Sequence, residues 1–177
     1  MESATPATHG TRRNHDDAQR VLDQAVREGE VPGILAQVPY GGRQWFGTAG
    51  AADTRTRRAR GHEDRFRIGS ITKTFTATVI LQLVAEGQLA LEDPVERWLP
   101  GVVTGNGHDG NTITVRQLLS HTSGVFSHTH DQPALSRQGT YTPEELVEIA
   151  MSHPADLPAA TGWAYSNTNY VVAGADR

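Results

Sequence analysis

The sequence predicts a mixed α/β chain, of the α+β kind in which helices accompany antiparallel strands. Three observations point there. Two strand-like runs, GILAQVPY and RQWFGTAG, meet at Gly41-Gly42, a favourable hairpin turn. A strongly apolar segment after Ser70 repeats at helical spacing. Thr114-Val-Arg-Gln117 and Thr142-Pro-Glu-Glu145 both have the form of a capping box, in which an N-terminal hydroxyl and a side chain three residues on exchange hydrogen bonds with the backbone. The 177 residues are enough for one core. Apolar residues make up 37% of the chain, below the usual ~45–50%, but the periodic segments argue against disorder throughout.

In chain order, residues 1–15 read as a polar, mobile leader and 16–177 as the domain itself. From Asp16 to Glu28, Val21, Leu22, Ala25 and Val26 fall at helical spacing, and Gly29 lies just past the end. The hairpin spans 33–50. Residues 53–65, DTRTRRARGHEDR, are charged and predicted to face solvent as a loop or strand edge. Ile71, Phe75, Val79, Ile80, Leu83 and Val84 then give a helix over 71–86, ended by Gly87. It is apolar on most faces and so is predicted to be central. Asp93-Pro94 opens a short helix with Pro at its first position. The capping boxes open helices over 115–120 and 143–152, NTNYVVAG opens another, and 99–112 and 121–141 read as Gly-, His- and Ser-rich loops. One hairpin is too little sheet to cover a helix of this kind, so the sequence reads as a chain whose C-terminal part is missing.

Composition excludes several classes. Lys plus Arg is 16 and Asp plus Glu 20, a net charge of −4, which leaves no basic footprint for nucleic acid. With no Cys there is no disulfide framework, thiol nucleophile or Cys-based zinc site. No apolar run approaches the ~20 residues that span a bilayer, and the N-terminus lacks the apolar region of a signal peptide. The expectation is a soluble protein, cytoplasmic as written and extracytoplasmic if a leader was lost.

Of the 16 basic residues, only Lys73 is lysine. Lysine, unlike arginine, can give up its proton when buried and act as a base. Ser70 opens the apolar helix and Lys73 follows three residues later, so hydroxyl and amine share a helix face. The helix N-terminus favours developing negative charge, and a buried amine has its pKa pushed down. That makes a plausible nucleophile–base pair, against the alternative of a serine cap beside a snorkelling lysine. Tyr165-Ser166-Asn167 adds a phenol able to relay a proton and an amide able to bind one, although alone it also reads as an Asn-rich turn with a packed Tyr. A competing cluster, His121, His128, His130 and Asp131, suggests a metal clamp. Its register fails, because Gln132 stands where a ligand is needed; His121 reads instead as a structural hydrogen-bonding residue of its loop.

Taken together, GSITKTF, LLSHTSG at 118–124 and GWAYSNTNY at 162–170 resemble the serine β-lactamase/D-alanyl-D-alanine carboxypeptidase family, with its class C β-lactamases, similar carboxypeptidases and SxxK esterases. The resemblance runs from about residue 17 to the end. It implies helices against an antiparallel sheet, with the active site between that sheet and an all-helical region. It implies that Ser70 is the acylated nucleophile, Lys73 its proton partner, Tyr165 the second base or acid, and Asn167 the holder of the substrate's acyl-side amide. Deprotonation of the serine is assigned jointly to Lys73 and Tyr165. No cofactor and no metal are implied. Two departures stand out. Where the family reads Pro-Gly-Thr-x-Trp, this chain reads Ala159-Ala160-Thr161-Gly162-Trp163. The family's third motif, Lys/His-Thr-Gly, is absent; its strand supplies an oxyanion-hole amide, a donor worth ~10²–10³ in rate.

The sequence thus predicts a serine hydrolase acting through an acyl-enzyme on a β-lactam, a D-Ala-D-Ala peptide or a small ester. Its partner is a small-molecule or peptide substrate, with no nucleic acid and no membrane span. As these 177 residues it is expected to be inactive, marginally folded and prone to self-association through an uncovered core. Two alternatives remain: a non-catalytic truncated remnant or binding module, and a metal-dependent hydrolase built on the His121–Asp131 cluster.

Overall fold

Gly41 and Gly42 lie at φ 51° and 75°, the left-handed conformation that a two-residue hairpin turn demands. The strands they join, β1 (Gly33–Tyr40) and β2 (Arg43–Asp53), pair antiparallel without a break from Gly33 opposite Gly50 to Tyr40 opposite Arg43. The computed structural model describes residues 9–29, 31–136 and 139–175. They divide into two compact units, one ending at Arg67 and the other beginning at Ile68.

In the first unit a short strand, β3 (Arg58–Ala59), pairs with the end of β2 to complete a three-stranded antiparallel sheet in the order β1-β2-β3. The charged 53–65 segment therefore serves as turn and exposed sheet edge. The Asp53 carboxylate accepts the backbone N–H groups of Arg55 and Thr56 at 2.8 and 3.1 Å, which tightens the turn. A helix, α1 (His9–Glu28), packs on β2, where Gln19 donates to the Thr48 carbonyl at 2.8 Å. It begins at His9, ahead of the predicted Asp16, and so overlaps the stretch read as leader; residues 1–8 lie outside the described residues.

The second unit is mostly helical. A 3₁₀ turn over Gly69–Ile71 runs into α2 (Thr72–Ala85), followed by α3 (Val95–Trp98), α4 (Val115–Ser120), α5 (Pro143–Met151) and α6 (Asn167–Ala173). Both predicted capping boxes form: Thr114 with Gln117 on α4, and Thr142 with Glu145 on α5. Pro94, predicted as the first residue of α3, instead caps it in an extended conformation. A two-residue hairpin, β4 (Thr104–Gly105) with β5 (His108–Asp109), occupies the segment read as loop 99–112. No helix of the described residues is long and apolar enough to cross a membrane.

The core gathers around Val103, Val125, Leu118, Val147 and Val172. The helix predicted to be central does not enter it. No residue of α2 is buried, and Phe75 and Val79 are 64% and 54% exposed. A helix apolar on most faces has no single face that must turn inward, and among the described residues the strands in this unit are two residues long. The loop after α4 is fixed more tightly. Gly124 has φ 74°, and a Cβ there would lie 1.8 Å from the Leu157 carbonyl oxygen, so this position admits only glycine.

Candidate active site

Gly69 at φ 55° turns the chain into the 3₁₀ turn that carries Ser70. The serine is not a helix cap: Ile68 and Ile71 hold the cap positions of the turn and of α2, and Ser70 Oγ meets other side chains instead. Its Oγ lies 2.7 Å from the Tyr165 hydroxyl and 3.3 Å from Lys73 Nζ, which donates to it. Lys73 Nζ also donates to Asn167 Oδ1 at 2.7 Å. The structure therefore brings together all four sequence-predicted site residues, two from the start of α2 and two from the start of α6. The ammonium lies 5.1 Å from the centroid of the Tyr165 ring and 5.5 Å from that of Tyr170, so aromatic faces line its charge. Lys73 is half-buried, where the sequence suggested a buried amine, because the helix that carries it is exposed.

The α6 end of the site is held by the loop after α4. Ser166 and Thr168 are buried, and Thr168 Oγ1 donates to the Phe126 carbonyl at 2.8 Å. The Asn167 N–H donates to Ser127 Oγ, and its side-chain Nδ2 donates to Thr129 Oγ1, both at 3.0 Å. An ammonium can only donate, so Lys73 fixes the amide with Oδ1 toward itself and Nδ2 toward Thr129. The Asn167 oxygen is thereby engaged, and its second Nδ2 proton is left as an open donor.

The electrostatics follow from these contacts. Interaction with the Lys73 ammonium, and then with the Ser70 hydroxyl, holds the Tyr165 phenol below its ordinary pKa. Tyr170, more enclosed, is raised by burial. Burial first and the Lys73 charge second depress the pKa of His121 and of His128.

The histidines of the competing cluster have other partners. His121 Nδ1 accepts from the Ser166 N–H at 3.2 Å, His128 Nδ1 pairs with Thr168 Oγ1 at 3.0 Å, and Asp131 bonds His153 at 2.9 Å. His130 stands edge-on to Phe126. No group of three or more His, Cys, Asp or Glu among the described residues is placed to hold a metal ion. The hydroxyls of Ser127 and Thr129 and the ring of Tyr170 were not singled out from sequence. Sequence alone marks the 127–131 segment only as a metal motif, although its alternating hydroxyls, Ser127 and Thr129, are a signal for a hydrogen-bonding role.

Ahead of Tyr165, Ala160 adopts φ 62°. This is the position at which the pattern Pro-Gly-Thr-x-Trp has glycine, so the departure in sequence leaves an alanine in a left-handed conformation. Chemically, the arrangement offers a hydroxyl with a phenol and an amine both in reach of its proton, and no acidic side chain within that set.

The Beta-lactamase family profile matches residues 18–175. Esterase EstB of Burkholderia gladioli is 34% identical over 160 residues, covering 82% of this chain and 40% of that protein. Among solved structures, a D-stereospecific amidohydrolase from Streptomyces sp. superposes with a TM-score of 0.77 at 53% identity, over 90% of this chain and 47% of that one. A D-amino acid amidase from Ochrobactrum anthropi SV3 superposes with a TM-score of 0.73 at 32% identity, over 92% of this chain and 43% of that one. The chain thus spans less than half the length of the proteins it matches.

Proposed function

This chain belongs to the beta-lactamase family, and we propose that it carries the nucleophilic half of a serine hydrolase that cleaves amides or esters through an acyl-enzyme. The observation that carries this reading is the convergence on Ser70 Oγ of the Tyr165 hydroxyl at 2.7 Å and the Lys73 ammonium at 3.3 Å. In the proposed reaction Ser70 Oγ attacks the substrate carbonyl and forms a new C–O bond. The Tyr165–Lys73 pair acts after losing one proton, as phenolate beside ammonium or phenol beside amine, a form that the lowered Tyr165 pKa favours; it takes the Ser70 proton and returns it to the leaving amine or alkoxide as the acyl bond breaks. Water then attacks the ester so formed, is deprotonated by the same pair, and frees Ser70. Asn167 holds Lys73 in place and offers its free Nδ2 proton to the acyl-side amide of the substrate.

For substrate we propose an amide or ester of a D-configured amino acid, ahead of a β-lactam or a D-Ala-D-Ala peptide. The support is the 53% identity to a protein described as a D-stereospecific amidohydrolase. The test is intact-mass spectrometry after mixing with p-nitrophenyl esters of D- and L-phenylalanine. A D-phenylalanyl adduct that Ser70→Ala removes is the expected result. Equal adducts from both enantiomers sink the stereochemical part, and an adduct that persists in Ser70→Ala sinks the nucleophile. We also propose self-association through the exposed apolar side of α2.

A further inference from the structure

We infer that His121 is a positioning residue for this reaction: its neutral imidazole, with the lone pair on Nδ1, holds Tyr165 within reach of Ser70. The inference rests on the reading of Ser70 as nucleophile and adds a residue to it.

His121 ends α4 in the left-handed conformation, φ 60° and ψ 36°, which swings both its carbonyl and its ring toward the segment before α6. Its carbonyl accepts the Ala164 N–H at 3.0 Å, and its Nδ1 accepts the Ser166 N–H at 3.2 Å. These are the residues on either side of Tyr165. The imidazole also lies against the Tyr165 ring, with centroids 4.4 Å apart and planes 31° from parallel. One residue therefore grips the backbone on both flanks of Tyr165 and supports its ring. The phenol beyond that ring reaches Ser70 Oγ at 2.7 Å.

The tautomer follows from the partners. A backbone N–H can only donate, so Nδ1 must carry a lone pair. A second donor agrees: Ser123 Oγ donates to Asn169 Oδ1 at 2.7 Å, which turns Asn169 Nδ2 toward His121 Nδ1 at 3.4 Å. The proton sits on Nε2. Protonating Nδ1 removes the acceptor for both donors and adds a cation near Lys73. The titratable groups facing the ring are Lys73 from α2, Tyr165, and Tyr170 from α6. Burial and the Lys73 charge both favour the neutral ring.

The test combines nitrogen NMR of the imidazole with the rate at which a fluorophosphonate labels the chain. In the unmodified protein Nδ1 is expected to be unprotonated at neutral pH, and labelling is expected to fall on acidification in step with charging of the ring. His121→Asn keeps an acceptor near Nδ1 and tolerates left-handed backbone but gives up the ring against Tyr165; it should label more slowly than the unmodified chain, faster than His121→Phe, and lose that acid limb. His121→Phe keeps a ring without an acceptor and should label slower by about 10²-fold, the penalty of a misplaced catalytic group. A protonated Nδ1 at neutral pH, or equal losses in both variants, overturns the inference. If His121→Phe does not fold, the tautomer and the Asn variant decide. Labelling that survives Ser70→Ala removes the underlying reading instead, and the NMR result separates the two failures.

Discussion

Lys73 is the only lysine in a chain that otherwise uses arginine, and its ammonium is shared between Ser70 Oγ at 3.3 Å and Asn167 Oδ1 at 2.7 Å. Arginine would keep the charge but cannot release a proton, and its planar fork does not fit a point-charge site between two aromatic rings. Lys73→Arg should therefore slow covalent labelling of Ser70 by about 10²–10⁴-fold, the range of a lost acid–base group, with little change in melting temperature. Retention of the full labelling rate would leave Lys73 with an electrostatic role only. Ala160 offers a stability prediction at the same scale. An L-residue in the left-handed region costs roughly 1–2 kcal/mol, and Ala160 sits there at φ 62°, so Ala160→Gly should raise stability by about 1 kcal/mol once the larger chain entropy of glycine is subtracted. A denaturant midpoint unchanged or lowered in that variant contradicts the argument. The Ser70–Lys73 pairing was legible from sequence because residues three apart on a helix are neighbours. Tyr165 and Asn167 stood out by side-chain chemistry, but their joining to Ser70 was legible only through resemblance, since no local rule joins positions 95 residues apart. For His121 a structural hydrogen bond was legible but not its partners, and for Thr129 nothing was, because each contact depends on which loop meets α6.

At the scale of elements, local chemistry read well. The two capping boxes form at Thr114 and Thr142, and the Gly41-Gly42 turn closes the expected hairpin. The placement of α2 did not, because spacing reports how apolar a helix is and not what lies beside it. The loop after α4 carries two further predictions. Gly124→Ala should destabilise by about 3 kcal/mol, from left-handed strain plus overpacking against the Leu157 carbonyl; a loss under half that size would mean the loop can move aside. His108, His121 and His128 all have pKa values lowered, first by burial. A histidine depressed in the folded state binds its proton more readily when unfolded. Its contribution to stability is complete above the unfolded pKa of about 6.5 and is lost as pH falls from there toward the folded value. Chemical-denaturation stability should accordingly decline between pH 7 and pH 5. Constant stability across that window would show that these rings charge freely in place.

For the whole molecule, two compact units divide the chain, and the second holds every proposed site residue. That unit leaves Ile71, Phe75 and Val79 more than half exposed, at 60%, 64% and 54%. Apolar patches of this kind bind other surfaces. The protein should take up a hydrophobic dye and show concentration-dependent association by light scattering, with both reduced by Phe75→Ser combined with Val79→Ser. A dye-negative monomer at all concentrations would contradict that. The central claim is narrower: one serine, activated by Lys73 and Tyr165, is the nucleophile. Its most direct test is mass-spectrometric mapping of the fluorophosphonate adduct on the unmodified chain and on Tyr165→Phe and Lys73→Arg. The account predicts a single adduct on the peptide containing Ser70, strongly reduced in both variants; an adduct on any other residue, or undiminished modification of Ser70 in both variants, would contradict it.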